Sequence, residues 1–297
     1  MSGESKMLPH QTQGLRAHVE VVAVRAEEVL AFALATGDEN PRFVDVSHTD
    51  FAAPPVFTAR YFNPLYSKVL SAAGADFTRL VFGEMDYRYH RSIRVGARVL
   101  AEAQVTDLEE KESGQLLRVQ VRATDAGGDL LVEGVASFFV RARRKKGEPK
   151  KKTPPMEVEG RDEVFALELK THEEQPALFA KAANDPNPIH LYEGVAQAAG
   201  LGGVIMHGLC VMACCGRAVL SELCENDPEQ LVRLAVRFSK PAHPGKALTM
   251  RVFSPQITDT SKRFTFIAEN DAGQPVITDG VAETRVRAVR RSLDARP

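Results

Sequence analysis

Net charge is almost absent from this sequence: 38 Lys and Arg stand against 39 Asp and Glu, for a formal charge of −1. That balance argues against nucleic acid as the main partner. Long apolar runs are missing too, and none reaches the roughly 20 residues that span a bilayer, so no membrane partner is expected. Cysteine is scarce. Cys210, Cys214, Cys215 and Cys224 crowd one helical pattern without metal-ligand spacing, which reads as packed thiols of a reducing compartment rather than disulfides. The polar start Met1-Ser2-Gly3-Glu4-Ser5-Lys6 lacks signal-peptide character, and Ala295-Arg296-Pro297 is not a peroxisomal address. A cytoplasmic protein is the expectation. With 44% hydrophobic residues in 297, there is enough apolar material for two domains.

What is present falls into two similar halves. Residues up to about His18 read as a loose lead-in. Arg25 to Leu34 has a helix pattern, and a second helix candidate runs from Pro54-Pro55 through Tyr61 to Leu70. Alternating segments at Asp86–His90, Ala97–Val105, Leu116–Ala123 and Leu130–Val140 read as strands. The run from Arg143 to Pro155, rich in Lys and Pro, is a solvated linker or, more sharply, a docking patch for an acidic carrier protein or CoA phosphates. The pattern then starts over. Thr171-His172-Glu173-Glu174 has capping-box spacing, a helix spans His207–Leu223, and strands are expected at Leu231–Lys240, Ala247–Phe253, Arg263–Glu269 and Val276–Arg287. Asp38-Glu39-Asn40-Pro41 recurs 147 residues on as Asp185-Pro186-Asn187-Pro188. Arg88-Tyr89 with Gly96 recurs 149 on, and Asp125-Ala126-Gly127 recurs 146 on. Three blocks in one order indicate a duplicated unit, with repeats at 1–142 and 156–297 joined by the linker 143–155.

The most informative stretch is Lys181-Ala182-Ala183-Asn184-Asp185-Pro186-Asn187-Pro188-Ile189-His190. Two prolines fix φ and push the residues before them off the helical path, so Asp185 and His190 sit on a stiff turn. Asn187-Pro188 reads as an N-cap and first helical position, with a short helix running towards Gly200. Asp-Pro-Asn-Pro is also ordinary turn chemistry. Against that bland reading stands His207-Gly208, which opens an apolar helix whose unpaired first N–H groups suit a developing oxyanion.

These two stretches closely resemble the signature of the MaoC-like, R-specific enoyl-CoA hydratases, although Ala183-Asn184 replaces the usual Ser/Thr-Gly before the aspartate. The resemblance implies an α+β double hot-dog, two repeats each with an antiparallel sheet wrapped around a long central helix. It implies reversible hydration of trans-2-enoyl-CoA to the (3R)-3-hydroxyacyl-CoA, with Asp185 and His190 catalytic. Asn187, Gly208 and Phe238 are the implied substrate contacts, Gly208 through its N–H. No cofactor and no metal are expected, and a homodimer is. Phe43 stands where His190 would be in the first repeat, which therefore resembles the degenerate half of double hot-dog hydratases, where the vacated space houses the acyl chain. Phe43, Phe57, Tyr61 and Phe62 are either the lining of that space or plain core. A dehydratase acting on acyl-carrier-protein substrates would use identical residues, and a non-catalytic acyl-binding subunit is the rival from another class.

Overall fold

The computed structural model describes residues 12–142 and 162–286. The expected linker 143–155 lies outside the described residues. The first half runs β1 (Arg16–Val21), α1 (Ala26–Thr36), α2 (Pro41–Val44), α3 (Ala59–Ala72), β2 (Leu80–Tyr89), β3 (Val99–Lys111), β4 (Gly114–Asp125) and β5 (Leu130–Arg141). The second runs β6 (Glu163–Leu169), α4 (Gln175–Ala182), a 3₁₀ turn (Pro188–His190), α5 (Glu193–Ala198) and α6 (Gly208–Leu223). A further 3₁₀ turn (Pro228–Gln230) leads into β7 (Leu231–Phe238), β8 (Leu248–Ile257), β9 (Ser261–Glu269) and β10 (Pro275–Arg285).

All ten strands join one antiparallel sheet in the order β1-β3-β4-β5-β2-β7-β10-β9-β8-β6. Outwards from the central pair the two sides repeat each other, β2-β5-β4-β3-β1 against β7-β10-β9-β8-β6. The seam is the β2–β7 ladder, from Glu84 opposite Arg237 to Arg88 opposite Arg233. Arg233 forks onto Asp86 across it, with Nε and Nη2 each 2.8 Å from a carboxylate oxygen. A bidentate pair of this kind adds geometric specificity, so it pins the register where the halves meet.

The sheet wraps a helix on each side because its inner face is apolar by alternation. In β3, Val99, Ala101, Ala103 and Val105 are buried while Leu100 and Glu102 face out. The helix α6 is apolar almost all round, with eleven buried residues from Leu209 to Leu220. That profile belongs to a helix enclosed by sheet rather than lying on a surface. All four cysteines are free and buried, as packed thiols. The double hot-dog α+β fold expected from the motifs is the fold observed, and no helix of the described residues is long and apolar enough to cross a membrane.

Several local expectations need correction. The lead-in is a strand from Arg16, paired along β3 from Gln104 to Val99. Edge strands β1 and β6 bury their side chains only in part, which leaves a weak apolar alternation to read. Thr171 does not cap α4: the helix starts at Gln175, and Thr171 Oγ1 donates to Lys246 O at 2.7 Å. The helix expected from Pro188 towards Gly200 is broken into the 3₁₀ turn and α5, because Tyr192 between them is extended.

Candidate active site

The catalytic candidates sit where α4 gives way to the Pro-rich turn. Asn184 takes the left-handed conformation (φ 51°) that reverses the chain, which Asn tolerates better than most residues. Asp185 N–H then returns to Ala180 O at 3.0 Å. Asp185 Oδ1 accepts from Asn187 N at 3.4 Å, and Asn187 Oδ1 accepts from Ile189 N at 3.4 Å. The second contact is the N-cap role expected of Asn187, whose residue is otherwise solvent-exposed. His190 closes the 3₁₀ turn and is buried.

The strap leading into α6 fixes His190 from the other side. His190 Nδ1 lies 2.9 Å from Ile205 O. A carbonyl only accepts, so Nδ1 carries the proton and Nε2 keeps its lone pair. The strap is held in turn by Met206 N to Ala242 O (2.8 Å), Val204 N to Glu193 Oε2 (3.0 Å) and His243 Nδ1 against Val204 O (3.0 Å). His207, at the N-cap of α6, stacks on His190 with ring centroids 3.7 Å apart and donates Nε2–H to Asp185 O at 3.1 Å. One side chain therefore touches the backbone of the candidate acid and the ring of the candidate base. In the sequence His207 marks only a helix start, because a stack formed across 17 residues of chain leaves no local pattern.

Burial dominates the electrostatics. It raises the Asp185 carboxyl above its usual range, against the pull of the nearby His190. It lowers His190 below the ordinary histidine value. His207 is pushed down to about 3, by burial first and then by His190. Both imidazoles are thus neutral at physiological pH, beside a carboxyl with increased proton affinity. Such a pair is poised for proton exchange.

The chain folding also brings together three groups that the spacing of the sequence did not present as a metal set. Asp185, His190 and His207 each place a ligand-type atom within 4.8 Å of the others. A metal binds in the plane of an imidazole, yet these rings stack 3.7 Å apart at an interplanar angle of 27°, so their lone pairs do not converge on one point. The set fits proton transfer better than tetrahedral coordination.

Gly208 is the first residue of α6, where the opening N–H groups have no intrahelical acceptor. A β-carbon at Gly208 would lie 3.0 Å from Phe238 Cδ1 and Cε1, so glycine lets the backbone meet the ring directly. The Phe238 ring in turn meets Phe82 of β2 edge-on, centroids 5.3 Å apart. Thus Gly208 and Phe238 are brought together, Gly208 adjoins the residue that contacts both Asp185 and His190, and Asn187 is confined to the turn.

The first half holds the same turn with different chemistry. Asp38 Oδ1 accepts from Asn40 N at 3.0 Å, and burial raises its carboxyl as it does that of Asp185. Buried Phe43 occupies the place of His190, and Thr58 precedes α3 as His207 precedes α6. A cleft of ≈ 30 Å³ opens on this side, against Pro54, Val56, Thr58, Tyr89 and Arg285. It is of a size for water and borders no imidazole pair, so chemistry places the candidate site at Asp185. Phe57 and Phe62 are fully buried. Phe57 packs on Phe32 (5.5 Å), Phe32 on Phe179 (5.5 Å) and Phe179 on His207 (5.0 Å), a run of rings connecting the two halves.

Residues 153–272 match the MaoC-like domain family, and residues 11–133 match the dehydratase domain region of FAS1-like proteins. A Dictyostelium discoideum protein described as probable enoyl-CoA hydratase 2 is 26% identical over 260 residues, covering 85% of this chain and 87% of that protein. The Drosophila melanogaster peroxisomal multifunctional enzyme type 2 is 28% identical over 239 residues, 75% of this chain but 40% of the longer enzyme. A Mycobacterium tuberculosis protein described as 3-hydroxyacyl-thioester dehydratase Y is 27% identical over 69% of this chain and 72% of its own. Among solved structures, a MaoC-like dehydratase from Phytophthora capsici superposes with a TM-score of 0.80 at 21% identity, covering 94% of this chain and 97% of that one.

Proposed function

We propose that this chain, which belongs to the MaoC-like double hot-dog family, adds water reversibly to a trans-2-enoyl-CoA to give the (3R)-3-hydroxyacyl-CoA. The observation that carries the reading is Asp185 beside an imidazole whose free nitrogen is set by the Ile205 carbonyl. Conjugate addition needs a water held against C3, a proton acceptor for that water, a proton for C2, and a partner for the enolate oxygen. Asp185 and His190 Nε2 hold the water by its two protons. One of them takes a proton as the hydroxyl bonds to C3, and a proton returns to C2 from the same face. The N–H of Gly208, at the positive end of α6, stabilises the thioester oxygen as enolate charge develops, an effect worth about 3 kcal/mol per donor. Phe238 flanks the bound thioester, and Asn187 keeps the turn in shape. Dehydration runs through the same groups, in keeping with the mycobacterial relative's description. None of these steps calls for a cofactor or metal.

In this reading 156–297 is the catalytic repeat and 1–142 shapes the acyl pocket, with 143–155 as the basic linker. Phe82 supports that division, since it brings a first-half ring to Phe238. We read the protein as a cytoplasmic homodimer; the free buried thiols support a reducing compartment, and sedimentation tests the dimer. The decisive assay follows loss of the enoyl thioester absorbance with crotonyl-CoA and longer acyl chains, and determines the chirality of the product. An S-alcohol, or thioester cleavage without hydration, would overturn the proposal. A preference for carrier-protein thioesters over CoA thioesters would move it to the dehydratase of acyl-carrier substrates.

A further inference from the structure

The turn that carries Asp185 leans on a helix of the half without the acid–base pair. Three consecutive carbonyls at the end of α4 accept from α3. Arg60 Nη1 reaches Lys181 O at 3.3 Å and Ala182 O at 2.9 Å, and Asn63 Nδ2 reaches Ala183 O at 2.9 Å. One bond runs back: Asn184 Nδ2 donates to Arg60 O at 3.0 Å. That acceptor is available because of Pro64, inside α3. In an uninterrupted helix Arg60 O would accept from the N–H of residue 64, but proline has none and its ring crowds the carbonyl of residue 60. The interruption of α3 and the left-handed Asn184 are two halves of one contact. Arg60 is steadied in turn by Glu28 of α1, 3.0 Å from Nη2; burial works against the Glu28 charge, yet Arg25 and Arg60 hold its carboxyl below the usual range.

The opposite half has a grip of another design. Arg217 of α6 donates to Thr36 O at 3.4 Å and to Gly37 O, ahead of Asp38. There the left-handed residue is Gly37 (φ 62°), with no side chain to send back. A β-carbon on Gly37 would lie 2.7 Å from Arg217 Nη1. The bonds that run back there leave from beyond the aspartate, Asn40 Nδ2 to Asn226 O at 2.9 Å and Arg42 Nη1 to Asp227 Oδ1 at 2.8 Å, whereas Asn184 answers from the residue next to Asp185.

We propose that Arg60, Asn63, Pro64 and Asn184 are positioning residues for Asp185, and that the first half acts on the reaction through this clamp. The inference rests on the hydratase reading above. A shift of about 1 Å at reacting groups can cost roughly a hundredfold in rate, so a clamp four residues deep against Asp185 acts on kcat rather than on binding.

The test is a pair of substitutions that separate placement from stability. Pro64→Ala restores an N–H to Arg60 O and removes a proline from a helix interior, so the protein should melt no lower than wild type. It should nevertheless be slower, with kcat down by about threefold to thirtyfold and KM within about threefold. Asn184→Gly keeps the left-handed turn, removes only the returning bond and should lose kcat to a similar extent. The double variant should be no worse than the slower single, because both break one contact. Arg60→Met should lose about tenfold to a hundredfold in kcat, with partial recovery in Arg60→Lys. If Pro64→Ala and Asn184→Gly both keep kcat within twofold while folded, the clamp does not position Asp185. Amide exchange at residues 183–187 reads the clamp independently of turnover, and protection there should fall in both variants. Wild-type protein that hydrates no enoyl thioester would overturn the functional reading alone. Unchanged exchange would overturn the clamp alone.

Discussion

Asp38 and Asp185 hold equivalent places in two copies of one turn, yet imidazoles accompany only the second. Each accepts a backbone N–H two residues on, and burial raises each carboxyl. What differs is the company. Asp185 has a neutral imidazole within reach and a second imidazole bracing both, whereas Asp38 has Phe43 and Thr58 in those places. A turn and a perturbed carboxyl are therefore compatible with either a structural or a catalytic role. The partner groups decide which.

The sharpest way to break this comparison is to remove each carboxylate, and the imidazole, in turn. Asp185→Asn and His190→Ala should each lower turnover by about a hundredfold to ten-thousandfold, and the double variant by no more than the worse single. Asp38→Asn should stay within a few-fold of wild type. Steady-state rates on one short enoyl-CoA check all four, and an Asp38→Asn enzyme as damaged as Asp185→Asn, while folded, refutes the single-site reading.

His207→Ala comes next, with a loss of about tenfold to a hundredfold, because it frees both the Asp185 carbonyl and the His190 ring. The same variant has a signature in pH. His190 must be unprotonated at Nε2 to accept from water, and burial keeps its pKa below the ordinary value, so wild-type activity should persist to pH below about 6.5. Removing His207 admits water, lifts that pKa and should move the acid limb of kcat/KM to higher pH. A limb that stays put would reduce His207 to a helix cap.

Smaller effects should separate pocket from core in the first half. Phe82→Ala, which removes the ring facing Phe238, should change preference along a chain-length series more than the rate on crotonyl-CoA. Phe57→Ala, within the buried ring cluster, should cost about 3–5 kcal/mol of stability, as buried Phe to Ala changes do. Unchanged selectivity in Phe82→Ala would return that ring to the core as well.

Asp38→Asn offers the mildest readout. Because the folded-state pKa of Asp38 is raised, the folded state binds its proton more tightly than the unfolded state does. The resulting stability is present below the unfolded pKa and lost as pH rises through the folded one. At neutral pH the ionised carboxylate is thus unfavourable, and Asn keeps the oxygen that accepts from Asn40 N. Melting at pH 7 should be unchanged or about 1–3 °C higher, with the advantage shrinking towards pH 4. A lower melting point at pH 7 would show that the Arg217 attraction outweighs burial.

Much of this was legible in the residues themselves, and for a reason. Pro186 and Pro188 determine local geometry whatever surrounds them, and Asp125-Ala126-Gly127 and its later copy mark one turn twice. Interactions between distant segments were not legible. The His190–His207 stack, the Phe82–Phe238 contact and the exchange between Pro64 and Asn184 arise only once the halves dock. Pro64 in particular looks like a flaw in a helix until its partner is seen 120 residues away. Strands β1 and β6 leave little trace in the sequence because half-buried edges carry little alternation.

The β2–β7 seam carries a consequence for descent. When a symmetric assembly is made of identical chains, every substitution enters all its sites together, and none can be retired alone. A single chain that carries both copies, paired through a ladder of backbone bonds, removes that constraint. In such a chain one copy can change its turn while the other keeps its own. Phe43 where the second half has His190, and Arg60 holding one turn where Arg217 holds the other, are differences of that kind.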